Sequence, residues 1–104
     1  MKKMTAEQMQ DYRENFGDVP NSRMAYANEY ERGKFLKKHG FNADANDDIF
    51  PDTKYVYCVS HIRPHTVGWC TVGAANQYPL VAQDDVSALQ ETRNLNFPIM
   101  GDKD

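Results

Sequence analysis

Residues 54–74, KYVYCVSHIRPHTVGWCTVGA, decide the predicted fold of this chain. They form two runs rich in β-branched and aromatic residues, which favour strands, and Arg63-Pro64-His65 separates the runs. Because proline fixes φ and lacks an N–H donor, it favours turns over central strand positions. The sequence therefore predicts an antiparallel β-hairpin with its turn at Arg63-Pro64-His65, in a register that sets Cys58 opposite Cys70.

Side chains alternate between the two faces of a strand, so this register predicts one face of small and aliphatic side chains and one aromatic face. The aromatic face would carry Tyr55, Tyr57, Val59, His61, Val67, Trp69 and Thr71. If helices cover this face, it is core. If helices cover the opposite face, which carries the cysteines, the aromatic face is an exposed stacking platform with His61, Arg63 and His65 at its rim. The sequence leaves both arrangements open.

A first helix is predicted over residues 6–16. Thr5-Ala6-Glu7-Gln8 has the pattern of a capping box, and Met9 and Tyr12 then begin an apolar stripe at helical spacing. Gly17 follows where a left-handed C-terminal residue is favoured.

A second helix is predicted to begin at a cap on Asn21 or Ser22 and to end at Gly40. Arg32 lies within the apolar stripe of this helix. Since an unpaired buried guanidinium is costly, Arg32 is predicted to be partly buried and paired with a carboxylate, for which the loop Asp44–Asp52 is the nearest source.

The chain after the hairpin predicts one more strand and one more helix. Tyr78–Ala82 reads as a third strand, and Pro79 places it at a sheet edge because proline cannot donate to a strand ladder. Asp84 or Asp85 is expected to cap a helix over residues 86–94.

These elements predict an α+β fold with two N-terminal helices, a three-stranded antiparallel sheet built on the 54–74 hairpin and one C-terminal helix. A length of 104 residues predicts a single domain, 1–104. Its parts would be a helical part (5–40), an acidic loop (41–53) and a hairpin, strand and helix part (54–100).

Charge and hydropathy favour a cytoplasmic protein with no membrane partner. The net charge of −3 has the wrong sign for a general nucleic-acid binder. No apolar run follows Met1-Lys2-Lys3 as a signal peptide would require, and no run has the length of a membrane span. In a reducing cytoplasm Cys58 and Cys70 are expected to be free thiols that act as small buried hydrophobes.

Two metal sites can be argued against from spacing. Asp44-x-Asn46-x-Asp48 resembles the start of a calcium loop, but Ile49 occupies the position that needs glycine. For zinc, Cys58, His61, His65 and Cys70 are suitable ligand types. On an extended hairpin, however, His61 points away from both cysteines, so we predict no metal and no cofactor.

Catalysis has little support in the sequence. A Ser60-His61 dyad fails because adjacent strand residues face opposite ways. The chain has no glycine-rich phosphate loop and no H-E-x-x-H or G-x-S-x-G motif. A small enzyme with His61 or His65 as acid or base is therefore only the third hypothesis.

The first hypothesis is a small non-enzymatic binding protein that acts on another protein. Cytoplasmic domains of this size without catalytic signatures are often inhibitors, such as the anti-defence factors of phages and mobile elements. The second hypothesis is a binder of a small ligand or of single-stranded nucleic acid that uses the aromatic sheet face. A homodimer is compatible with both. The predicted binding residues are Arg63, His65, His61, Trp69, Tyr55 and Tyr57.

Overall fold

The computed structural model describes residues 3–17, 24–44, 49–70 and 72–101. The elements are α1 (Ala6–Phe16), α2 (Met24–Lys38), β1 (Tyr55–Cys58), β2 (Arg63–Thr66), a short 3-10 turn (Ala74–Asn76), β3 (Gln77–Pro79) and α3 (Asp85–Asn94). Two N-terminal helices, a three-stranded antiparallel sheet and a C-terminal helix make up the α+β fold that the sequence predicts.

The capping box at the start of α1 is complete. Gln8 N–H donates to the Thr5 hydroxyl (3.1 Å), and the Gln8 side-chain oxygen accepts from Thr5 N–H (3.0 Å). Gly17 follows the helix, but its φ of −86° is not left-handed, so that part of the prediction is wrong. Space nevertheless favours glycine here, because a Cβ would lie 2.7 Å from the Arg13 carbonyl oxygen.

Gly40 ends α2 as predicted, with a φ of 84°. Gly40 N–H donates to the Lys37 carbonyl (3.1 Å) and Phe41 N–H donates to the Leu36 carbonyl (2.8 Å). This pair of bonds is a Schellman motif, in which a left-handed glycine satisfies the last helical carbonyls. The predicted N-cap residues of this helix, 21–22, lie outside the described residues.

Arg32 is more deeply buried than the sequence predicts, with 1% of its surface exposed. Its Nε donates to the Ala75 carbonyl oxygen (2.9 Å), while its Nη2 has no partner among the described residues. The predicted carboxylate partner is absent from those residues, and residues 45–48 of the acidic loop lie outside them. Burial lowers the pKa of the Arg32 guanidinium.

The hairpin forms in a different register from the predicted one. Its turn is Val59–Ile62, and Arg63-Pro64-His65 belongs to β2, with Tyr57 opposite Pro64 and Cys58 opposite Arg63. Pro64 is tolerated because β2 is an edge strand of the order β2-β1-β3. Each β1 residue pairs with a residue that lies an odd number of positions from its predicted partner. Such a shift moves the side chains of the second strand to the opposite face of the sheet.

The third strand is shorter than predicted, Gln77–Pro79, but it lies at the sheet edge as Pro79 indicates. α1 contacts this strand, since the Tyr12 hydroxyl donates to the Gln77 carbonyl (3.0 Å). α2 packs on the 3-10 turn, and α3 packs on β2. All four residues of β1 are buried at the centre, whereas Ser60 in the hairpin turn and Trp69 beyond β2 are exposed.

Candidate binding surface

The hairpin turn holds His61 in a half-buried position. His61 N–H donates to the Cys58 carbonyl (3.1 Å), which closes the turn directly after β1. Ile62 then has a φ of 53°, an uncommon conformation for a β-branched residue. Met100 N–H donates to the Ile62 carbonyl (2.8 Å), so the C-terminal segment supports this backbone.

His61, His65 and Trp69 form one aromatic group, here called the Trp69 cluster. After β2 the chain turns back, with Trp69 N–H donating to the Thr66 carbonyl (3.0 Å), and the indole stacks on His65 at 3.9 Å between ring centres. His61 meets the His65 ring at 5.2 Å and the Trp69 ring at 5.4 Å, nearly perpendicular to both. Trp69 remains 58% exposed. The cluster is therefore an ordered aromatic surface.

A disulfide bond between the fully buried Cys58 and Cys70 anchors this surface. The sequence correctly places the two cysteines close together, but the predicted free thiols are wrong. The two cysteines are also not cross-strand partners, because Cys58 pairs with Arg63. Cys70 lies beyond β2, and its N–H donates to the Thr66 carbonyl (3.3 Å). The bond ties the residue directly after Trp69 to the end of β1.

Arg63 and Met100 flank the cluster. Arg63 is exposed, and its Nη1 donates to the Met100 carbonyl oxygen (3.0 Å). The Met100 side chain is 60% exposed. Met100 is not among the predicted binding residues, because its contact with the hairpin spans 38 residues of chain and no local sequence pattern indicates such a contact.

Tyr55 and Tyr57 do not belong to this surface, which corrects the predicted set of binding residues. Tyr55 is 7% exposed and its hydroxyl donates to Asp85 Oδ1 (2.5 Å). Tyr57 is 1% exposed, packs on the Phe97 ring (4.8 Å between centres) and donates to the Pro98 carbonyl (2.6 Å). The aromatic face of β1 is core, and the shifted register puts Trp69 with His65 instead.

Electrostatics favour the neutral form of His65 within the cluster. Partial burial is the largest cause that lowers the pKa of His65, and the nearby His61 and Arg63 lower it further. The Nδ1 atom of His61 is buried and has no hydrogen-bond partner among the described residues. A neutral His65 imidazole beside an exposed indole makes a surface that is easily dehydrated.

A cleft of about 230 Å³ lies beside Arg63 and is lined by Tyr55, Arg63, Pro64, Asp85, Ala88 and Leu89. It is smaller than the roughly 300–1,000 Å³ of typical ligand pockets, and the Tyr55 hydroxyl within it is already bonded to Asp85. A second cleft of about 360 Å³ runs along α2 beside Tyr30, where Lys37 lies 4.0 Å from Asp44. That cleft carries both signs of charge.

Comparison of the chain with protein-family models, with curated proteins and with solved structures finds no match. Across the described ranges, no helix combines the length and the apolarity that crossing a bilayer requires.

Proposed function

We propose that this protein is a small non-enzymatic binding domain that docks another protein through the Trp69 cluster, with Arg63 at its edge. The observation that carries the proposal is the 58% exposure of Trp69, the only tryptophan, on a rigid support. Tryptophan and arginine are the residues most enriched among interface hot spots. The His65 stack and the disulfide hold the indole in place, which lowers the entropy lost on binding.

At the Trp69 cluster and Arg63, the geometry supports a protein partner better than a ligand or single-stranded nucleic acid. The alternative hypothesis uses Tyr55, Tyr57 and Trp69 as one stacking platform, and of these three rings the two tyrosines are buried. The cleft beside Arg63 is small for a ligand. The net charge of −3 also disfavours a backbone-tracking groove for nucleic acid.

The mode of action we propose is occlusion of a surface on the partner, as an inhibitor of phage or mobile-element origin would achieve it. A domain of 104 residues is large enough to cover about 800 Å² of a partner, the area of a standard interface. The identity of the partner is left to experiment.

The test is quantitative capture from a lysate of the source cell, followed by affinity measurement with the captured protein once purified. Trp69→Ala should weaken binding by about 2 kcal/mol or more, and Arg63→Ala should weaken it less. Both side chains are exposed, so the melting temperature should change little in either variant.

Tyr30→Ala is the matched control, since Tyr30 is an aromatic residue on α2 that is 65% exposed. It should bind the partner as the wild type does. Full affinity in a folded Trp69→Ala, Arg63→Ala double variant would remove this surface from consideration.

A further inference from the structure

The stretch of chain that builds the docking surface contains no acidic side chain. All 15 Asp and Glu residues of the protein lie outside residues 53–83, although the net charge of the chain is −3. The Lys, Arg and His side chains within this stretch are Lys54, His61, Arg63 and His65. Since the two sides of a specific interface have complementary potentials, the surface around Trp69 suits a partner that carries negative charge.

Arg63 is held in position and keeps donors for a partner. Its side chain is exposed, and its Nη1 donates to the Met100 carbonyl oxygen (3.0 Å). That bond uses one of the five N–H donors of a guanidinium. Among the described residues, no carboxylate forms an ion pair with Arg63. Asp85 lines the same cleft, but its Oδ1 accepts from the Tyr55 hydroxyl (2.5 Å). A carboxylate of a partner can therefore reach the guanidinium without displacing Met100.

The centre of the surface beside this charge is aromatic. The Trp69 indole is 58% exposed and stacks on His65 at 3.9 Å between ring centres. Burial is the largest cause that lowers the pKa of His65, which favours the neutral ring. Interfaces commonly place a polar rim around an apolar centre. Trp69 and Arg63 together repeat this arrangement, and they ask for an apolar group and a carboxylate on the other side.

Resting on the proposed function, we infer that the segment docked at the Trp69 cluster carries an aromatic or aliphatic side chain flanked by Asp or Glu. The apolar side chain packs on the Trp69 indole, and a carboxylate accepts from the Arg63 guanidinium. A basic segment is unfavourable, because it sets like charges against Arg63. A neutral segment dehydrates part of the guanidinium without supplying a charged acceptor.

The first test uses a phage-displayed library of short random peptides, selected on the disulfide-bonded wild type. Peptides that also bind a Trp69→Ala variant are removed, so the remaining peptides need the indole. We expect these peptides to share an aromatic or aliphatic residue with Asp or Glu beside it. The best peptide is then synthesised together with an analogue in which Asn and Gln replace Asp and Glu. The analogue should bind about tenfold more weakly, because a charge-assisted hydrogen bond becomes a neutral one.

The second test changes Arg63 and measures the Kd of the same peptide. Arg63→Gln should raise the Kd by about tenfold, and Arg63→Glu should raise it further because it adds repulsion. Lys34→Glu is the matched control, since it alters the net charge of the chain as Arg63→Glu does but lies on α2, where Lys34 is exposed. It should bind as the wild type does. Thermal melts show whether each variant is folded.

An acid-free or basic consensus among the Trp69-dependent peptides would overturn the inference. Equal binding of the amide analogue, unchanged affinity in a folded Arg63→Glu variant, or a selection that yields no Trp69-dependent peptide would do so as well. The proposed function has a separate readout, the affinity of the protein captured from the lysate for the Trp69→Ala variant. Loss of that affinity together with a failed peptide test would leave the docking surface standing and remove only the acidic segment.

Discussion

Gly33 occupies the interior of α2, where glycine is usually unfavourable by about 1 kcal/mol relative to alanine. A Cβ at this position would lie 3.8 Å from the Ala75 Cβ and 3.9 Å from the Ala43 Cβ, which are ordinary contacts. We therefore expect Gly33→Ala to raise the free energy of unfolding by about 0.5–1 kcal/mol, measured by urea denaturation. Gly17→Ala is the contrast and should destabilise, because its Cβ would lie 2.7 Å from a backbone oxygen. A loss of stability in Gly33→Ala would contradict the packing seen here.

Arg32 combines a buried stem with an Nη2 atom that has no partner among the described residues. Arg32→Ala should lower the free energy of unfolding by about 1–3 kcal/mol, because it leaves the Ala75 carbonyl without its donor. Arg32→Met should cost less, since it keeps the apolar volume and removes a buried charge. Chemical denaturation of both variants measures the difference. A methionine variant as unstable as the alanine variant would show that the charge has a partner outside the described residues.

At the scale of elements, the disulfide is the tie between the hairpin and the Trp69 cluster. It joins two residues that are 12 positions apart in the sequence. For a loop of this length, the chain-entropy model predicts that the disulfide raises the free energy of unfolding by about 3 kcal/mol. We expect no free thiol when the native protein is denatured under anaerobic conditions, and a loss of about 2–4 kcal/mol in a Cys58→Ala, Cys70→Ala variant. The reduced wild type is the control and should match that variant. Two free thiols per chain in this assay would contradict the disulfide and support the reduced cysteines that the sequence predicts.

The disulfide also bears on where the protein works. Disulfides persist in oxidising compartments and are rare in the cytoplasm. Cytoplasmic localisation stays a prediction, and the Cys58–Cys70 bond favours an oxidising environment instead.

The elements that the sequence predicts well are those with local signals. Thr5 and Gln8 cap α1 through neighbours in the chain, and Gly40 ends α2 in the same way. The hairpin register depends on the left-handed Ile62 and on its distant contact with Met100, which no local pattern reveals. The sequence predicts His61, His65 and Trp69 as binding residues, and the structure brings their rings into contact through the shifted register. Their role in binding stays a prediction.

At the scale of the whole molecule, three tyrosine hydroxyls lie in the core and hold its layers together. The Tyr12 hydroxyl reaches the Gln77 carbonyl of β3, the Tyr57 hydroxyl reaches Pro98, and the Tyr78 hydroxyl donates to the Arg13 carbonyl (3.3 Å). Burial is the largest cause that raises the pKa of each of these tyrosines above 10.0. The positive charge of Arg32 opposes the shift at Tyr12 and Tyr57 without cancelling it.

These shifts predict cooperative unfolding in alkali. A raised pKa means that the folded state holds the phenolic protons more tightly than the unfolded chain, whose tyrosines titrate near 10.0. The stability they contribute is therefore fully present below about pH 10 and is lost as the pH rises further. We expect tyrosinate absorbance and far-ultraviolet circular dichroism to change together above pH 10. Tyr12→Phe should make the loss of stability above pH 10 less steep, because one coupled ionisation is gone, even if the lost hydrogen bond lowers its stability near neutral pH. Tyrosinate absorbance equivalent to all six tyrosines at about pH 10, in a chain that keeps its circular dichroism, would show that these three hydroxyls are accessible in the folded state.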